Sequence, residues 1–199
     1  MEHDLDRVIR QPWRDVRRAV TGSPDAPLHA STFSQTARRQ DIEAVAEFFH
    51  RQPFARLGAI ISVSTTLLQE LGPVPTIAKT LQNRVVEIAR WTRFKELKII
   101  FESGERADPL IEEAFQDFGL EEDDNKPIPV DCYLMPKSAG EPALEVADFI
   151  MHAVGRQARK NLKQRDGFVL DFKAVFHSVD RKLASFMEVN AVSKNEPSR

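Results

Sequence analysis

Leu97-Lys98-Ile99-Ile100-Phe101-Glu102 is the stretch on which the fold turns. Leu97 to Phe101 is short, apolar and centred on two β-branched residues, which suits a buried strand, and it stops abruptly at a carboxylate. Upstream, Leu57-Gly58-Ala59-Ile60-Ile61-Ser62-Val63 has the same character. Between the two runs, Ile77, Leu81, Val85 and Ile88 recur at helical spacing and predict an amphipathic helix ending near Trp91. Downstream, Leu110, Ile111, Ala114, Phe115 and Phe118 predict the next helix, with Gly119 as its stop. Ile128 to Met135 then reads as a third strand, and Pro129, which lacks an N–H, favours a sheet edge for it. A long helix is expected from about Glu141 to Leu162, since Ser138 and Glu141 have capping-box spacing and Pro142 is tolerated in a first turn. Strand, helix, strand, helix, strand, helix is the rhythm of parallel pairing through right-handed crossovers, so the class is α/β.

The flanks are helical. Leu5, Val8, Ile9, Trp13, Val16 and Val20 follow helical spacing, with Pro12 marking a break or a start just before Trp13. Thr21 to Pro27 is a loop, and Thr36 to His50 a second helix with Ile42, Val45, Ala46 and Phe49 on one face. The expected organisation is a helical N-terminal segment over residues 1–53, an α/β core over 54–165, and a C-terminal extension over 166–199. That extension should hold a helix near Asp171 to Val179, a strand near Ala184 to Val192 and a flexible tail.

Composition removes several function classes. Lys plus Arg number 28 against 30 for Asp plus Glu, so no broad positive field draws nucleic acid, and any such binding must use local patches. The lone Cys132 precludes an internal disulfide, and the five histidines show no zinc-ligand spacing, which fits a reducing, cytoplasmic setting. No apolar run has the length of a signal peptide or a membrane span, so no membrane is expected as a partner. Glycine-rich phosphate loops are missing too, which argues against a nucleotide cofactor. Cys132, the aromatics and the methionines are read as packing residues.

Two places carry chemistry. Ligands of open parallel sheets gather outside the carboxyl ends of the strands, and Glu102 stands at such an end. On the long helix, Glu141, Glu145, Asp148 and His152 follow at steps of 4, 3 and 4 residues and so share one stripe. Most of the remaining circumference is apolar, which leaves Asp148 on a narrow polar strip between Leu144 and Phe149. Two readings of this strip stay open, a solvent-facing edge and a carboxylate site.

Ile99-Ile100-Phe101-Glu102, Met135-Pro136-Lys137-Ser138 and Leu144-Glu145-Val146-Ala147-Asp148-Phe149-Ile150, in that order, resemble the bacterial domain-of-unknown-function 3800 family. Leu28-His29-Ala30-Ser31-Thr32-Phe33 resembles a segment that this family carries upstream, so the likeness spans about Leu28 to Leu162. It implies an RNase H-like mixed sheet flanked by helices, with three antiparallel strands followed by alternating helices and two further strands. It also implies a cluster of acids that binds Mg²⁺ or Mn²⁺ and hydrolyses phosphodiester bonds. Carried over residue by residue, Glu102 is the acid closing the fourth strand and Asp148 the acid on the last helix, with Lys137 and His29 near the cleft. Hard divalent ions prefer such oxygen ligands, and a pair of them about 4 Å apart can activate water and stabilise a leaving oxygen.

The chain departs from this pattern at its start. The family opens on an Asp-Glu-Ser strand whose aspartate completes the metal site, and nothing like it precedes Leu57, so the first two strands are missing from this chain. In the order 3-2-1-4-5 those strands belong between the Leu57 and Leu97 runs, which leaves a gap of about 10 to 15 Å. The expectation is that the coding region begins further upstream. The other explanation is a degenerate relative whose strands pair directly or are completed by another chain, either a partner or a second copy. Glu87, the one acid of the helix from Ile77 to Trp91, lies about 80° from the apolar stripe and is expected to be exposed. Arg156, Arg159, Lys160, Lys163 and Arg165 cluster near the end of the long helix, where they either follow a phosphate backbone or complement the helix C-terminus. The sequence thus leads to a divalent-metal-dependent nuclease, incomplete as this chain stands. The alternative is a non-catalytic interaction or scaffold module of a phage-defence or mobile-element system, because a fold alone does not confer activity.

Overall fold

A computed structural model describes residues 5–63, 73–91, 95–121, 126–161, 172–176 and 184–191. A π-helical turn, Asp6–Arg10, winds directly into α1 (Gln11–Thr21). Pro12, which has no N–H to give the preceding turn, falls where the winding changes from π to α, and the helix continues through it. Gly22 stops α1 at φ 84°, a left-handed cap that a glycine adopts without strain. The helix expected over Thr36 to His50 is α3 (Arg39–Arg51), and an unexpected short helix, α2 (Ala30–Thr36), precedes it, the two separated because Ala37 and Arg38 are extended. Asp41 fixes that restart. Its carboxylate accepts the Arg38 N–H at 2.8 Å and the Arg38 guanidinium at 3.0 Å, and the guanidinium holds the carboxyl below the usual carboxylate range.

The α/β part follows as β1 (Arg56–Val63), α4 (Pro73–Trp91), β2 (Leu97–Glu102), α5 (Asp108–Phe115), β3 (Leu120–Glu121), β4 (Pro127–Ile128), β5 (Val130–Met135), α6 (Pro142–Asn161), α7 (Phe172–Phe176) and β6 (Ala184–Ala191). The fold is mixed α/β and mostly helical. β2 and β5 run parallel with Leu97 opposite Val130 and Glu102 opposite Met135, joined through α5 as the strand–helix rhythm predicts. The strand expected over Ile128 to Met135 is broken at Pro129. Ile128 pairs antiparallel with Leu120, whereas the Pro129 carbonyl accepts the Leu97 N–H at 2.9 Å and starts the parallel ladder. A residue without a donor can serve one ladder through its oxygen but cannot carry a strand through two. Among the described residues the strands form three pairs rather than one sheet, and β1 pairs with β6, the strand expected in the C-terminal extension.

The chain divides into two compact units, one of Met1–Ile60 with Gly140–Val189 and the other of Ile61–Ala139 with Asn190–Arg199. This grouping differs from the three consecutive segments expected. The N-terminal helices share a core with α6: Trp13, Phe33, Val45, Phe49, Val146, Phe149 and Ala153 are buried together. An amphipathic helix needs an apolar partner, and α6 and the N-terminal helices supply each other's. In the second unit α5 meets β2 through Phe115 and Phe101, whose ring centres are 5.1 Å apart with the planes tilted by 58°. Some residues assigned to packing are on the surface, namely Tyr133, Met151 and Cys132.

Arg56 shows how the first unit manages a buried charge. Its guanidinium is buried, lies 4.8 Å from the centre of the Phe54 ring and 5.5 Å from that of Phe49, and donates to the Val175 carbonyl at 2.5 Å and the Gln52 carbonyl at 3.3 Å. Gln52 caps the C-terminus of α3 and Val175 lies in the last turn of α7, so two negative helix ends and two ring faces stand in for a carboxylate. Burial still pushes the guanidinium down to about 10, which leaves it charged at neutral pH. Arg56→Lys keeps the charge but loses the planar fork that reaches both carbonyls. The expected cost is about 1.5 to 3 kcal/mol, one hydrogen bond from a charged donor, read from urea denaturation. An unchanged midpoint would mean that one carbonyl contact suffices.

Candidate functional site

Glu145, Asp148 and His152 lie on one face of α6 and Glu141 just ahead of it continues their line, as the spacing dictates, but this stripe is not a solvent edge. It is the line along which the N-terminal segment docks. Gly140, at φ 62°, turns the chain into α6 and presents its carbonyl to Arg17 Nη2 at 2.7 Å. Glu141 accepts Arg10 Nε at 3.0 Å and the Ala143 N–H at 3.1 Å, and it raises the Arg10 guanidinium above its ordinary value.

Glu145, 7% exposed, is the centre of the line. Its Oε2 accepts Trp13 Nε1–H at 2.8 Å, Arg17 Nε at 3.0 Å and the Leu28 N–H at 3.1 Å, while Oε1 accepts Arg17 Nη2 at 2.8 Å. Arg17 is equally buried, so this is an ion pair out of water that persists only because both partners are also hydrogen-bonded. Nothing in the composition of α6 announces this. The signal available was on α1, where Trp13 and Arg17 stand four residues apart and offer an indole N–H and a guanidinium to the same side.

Asp148 lies one turn further along. Its Oδ2 accepts the Ala30 N–H at 3.0 Å, its Oδ1 is 3.5 Å from His152 Nε2, and its side chain keeps 21% of its surface exposed. Ala30 opens α2, and the preceding His29, extended at φ −106° and ψ 128°, lines a cavity of about 300 Å³ with Thr32, Thr36 and Arg38. Two motif segments therefore interlock in this unit. The backbone of Leu28 to Ala30 binds the carboxylates of Glu145 and Asp148, and the Phe33 ring meets Phe149 edge-on at 5.2 Å.

In the second unit, Glu102 closes β2 with its side chain exposed. The ladder continues one step past it, with the Ser103 N–H on the Met135 carbonyl at 2.8 Å. Lys137, exposed in a 3₁₀ turn (Lys137–Ala139), follows β5, so the parallel pairing brings Glu102 and Lys137 to the same carboxyl end of the two strands. The loop after Glu102 is tied by Asp108, whose carboxylate accepts Ser103 Oγ–H at 2.7 Å and the Gly104 N–H at 2.8 Å. Asp108 thereby occupies the first turn of α5, and sequence reasoning passed it over although an acid beside Pro109 is an N-terminal signal. Glu87 is exposed and paired with Arg84 on its own helix.

The basic cluster is described only in part. Arg156 and Arg159 are half-buried on the last turns of α6, and the Arg159 guanidinium folds back over Gly155, where an added Cβ would meet Nη1 at 3.7 Å. Lys163 and Arg165 lie outside the described residues, as does the side chain of Lys160.

Glu102 and Asp148 offer the hard oxygen donors that Mg²⁺ or Mn²⁺ prefers, and Asp148 retains acceptor capacity beyond its one amide. Among the described residues no three His, Cys, Asp or Glu side chains gather as a ligand set, so each unit contributes a single candidate carboxylate. That number suffices only where substrate phosphates and water complete the shell. Comparison with family models, with curated proteins and with solved structures found no match to this chain. Among the described residues no helix is long and apolar enough to cross a membrane.

Proposed function

We propose that the chain is a divalent-metal-dependent nuclease module of the RNase H-like class, whose site is completed by an acid that the described residues do not supply. One observation carries the reading: Glu102 is exposed at the carboxyl tip of a parallel strand pair, where parallel sheets gather their ligands, with Lys137 at the same end. Asp148 supports it as a partly accessible carboxylate on α6, the last helix of the likeness. Glu102 and Asp148 would hold Mg²⁺ or Mn²⁺, Lys137 would contact phosphate oxygens, and Arg156 and Arg159 would track the backbone of an RNA or DNA strand. The bound ion supplies polarisation of the phosphate and a more acidic water. The chemistry requires each carboxylate to be open to a cation.

Titration of the full chain with Mn²⁺, followed by paramagnetic broadening of amide resonances, tests that requirement. Signals next to Glu102 and next to Asp148 should both broaden, and Asp148→Asn should abolish the broadening around residue 148. Broadening at one place alone, or broadening indifferent to Asp148→Asn, removes the metal site and the nuclease reading with it.

A second reading has its own support. Among the described residues, Trp13, Arg17 and Leu28 donate to Glu145 and Ala30 donates to Asp148, all from the N-terminal segment, so the stripe holds the unit together whether or not it meets a cation. That favours a non-catalytic scaffold that pairs with another chain, a partner or a second copy. A folded protein in which Mn²⁺ broadens nothing is the result this reading expects.

A further inference from the structure

We propose that two copies of the chain pair through the outer edge of β2, antiparallel about Ile100, so that Lys98 of each copy faces Glu102 of the other. The pairing goes beyond either reading of the function, and it gives the partner that the scaffold reading leaves unnamed. A carboxylate has several acceptor sites, so the pairing neither requires nor forbids a cation at Glu102.

The edge follows from the ladder inside the second unit. The N–H groups of Leu97 and Ser103 both donate to β5, at 2.9 Å to the Pro129 carbonyl and 2.8 Å to that of Met135. Strand residues alternate, so Leu97, Ile99, Phe101 and Ser103 turn their backbone groups toward β5, and Lys98, Ile100 and Glu102 turn theirs away. Among the described residues no strand pairs with that side of β2. A lone pair of strands is marginal in water, and parallel strands ordinarily lie inside a larger sheet. Prolines flank β5 at Pro129 and Pro136, whereas no proline interrupts or adjoins β2, so β2 is the edge that can carry a continuous ladder.

Read in reverse, this edge is complementary to itself. With Ile100 opposite Ile100, the outward residues Lys98, Ile100 and Glu102 each exchange both backbone hydrogen bonds with their counterparts. On one face, lysine–glutamate pairs then flank the two isoleucines. On the other, the α5 side that Phe101 shares with Phe115, Ile99 meets Phe101, a β-branched residue against an aromatic. Lys98 and Glu102 are exposed and Ile100 is half-buried, so the charges are within reach and the isoleucine has apolar surface left to cover. Lys98 lies 3.5 Å from Glu96, a surface contact that costs little to exchange for a second carboxylate. Moving the axis to Ile99 sets Glu96 against Glu102, and moving it to Phe101 sets Glu102 against Ile100, so the register centred on Ile100 is the one that joins opposite charges.

Sedimentation equilibrium on the full chain should find a dimer. Lys98→Glu and Glu102→Lys should each weaken it about tenfold, because like charges then stand opposite at both ends of the pairing. An equimolar mixture of the two variants should associate as tightly as the wild type, since each supplies the charge that the other lacks, and that recovery also shows both variants to be folded. Hydrogen exchange at the Ile100 amide should slow as the wild-type concentration rises. A wild type that stays monomeric overturns the pairing and leaves the edge to a strand from a different protein. A dimer that both variants leave unchanged, or a mixture no tighter than the variants alone, overturns it as well.

Discussion

Glu145→Leu should destabilise the first unit by about 3 to 5 kcal/mol, the range for removing one partner of a buried ion pair. Most of that loss is the stranding of what remains. Arg17, as buried as Glu145, would keep the Gly140 and Pro24 carbonyls but lose its counter-charge, and the Trp13 indole N–H and the Leu28 N–H would lose their acceptor. Against a total stability of about 5 to 15 kcal/mol this is a large fraction. Urea unfolding followed by circular dichroism measures it. Adding Arg17→Met should return part of the loss, because the unpaired charge goes while the orphaned indole and backbone donors stay. Glu145→Gln should fall between, since its amide oxygen still accepts but carries no charge. A Glu145→Leu chain within about 0.5 kcal/mol of the wild type, the range of ordinary surface changes, would show that the network does not form in solution.

This network is also where sequence reasoning stops. The 3.6-residue period placed Glu141, Glu145, Asp148 and His152 on one face of α6, and the strand at Leu97 with Glu102 at its tip is as read. Periodicity, however, describes one element at a time. A polar strip looks the same whether water or an arginine faces it, and the donors to Glu145 come from residues 117 to 132 positions away. The same limit explains the misplaced boundaries. Pro129 was correctly seen as hostile to a ladder, but the alternative to an edge was a change of partner, which depends on Leu97 and Leu120 lying on either side. The helix expected from Thr36 starts instead at Arg39, behind an Arg38–Asp41 cap that the apolar pattern does not register. For the candidate site, the element carrying each acid was legible, whereas the amide held by Asp148 was not. Its donor is a backbone group, and no side-chain pattern reports it.

Phe149→Ala should cost about 3 to 5 kcal/mol, the range for an aromatic removed from a closed core. Phe149 is 0% exposed, and its ring meets Trp13 at 5.2 Å and Phe33 at 5.2 Å, both edge-on. Edge-to-face pairs of this kind contribute about 0.5 to 1.5 kcal/mol beyond the area they bury. Trp13 itself packs on Phe48 and Phe49, so a void at Phe149 opens in the middle of the cluster, where neighbours held by one another collapse poorly into it. At about 2 to 4 °C per kcal/mol, the melting temperature should fall by roughly 6 to 20 °C. Met151→Ala supplies the contrast, because two residues along the same helix Met151 is 64% exposed and its truncation should stay within about 0.5 kcal/mol. If Phe149→Ala melts within a degree or two of the wild type, the N-terminal helices do not rest on α6, and the contacts that Asp148 and Glu145 make with Leu28 and Ala30 have no basis in solution.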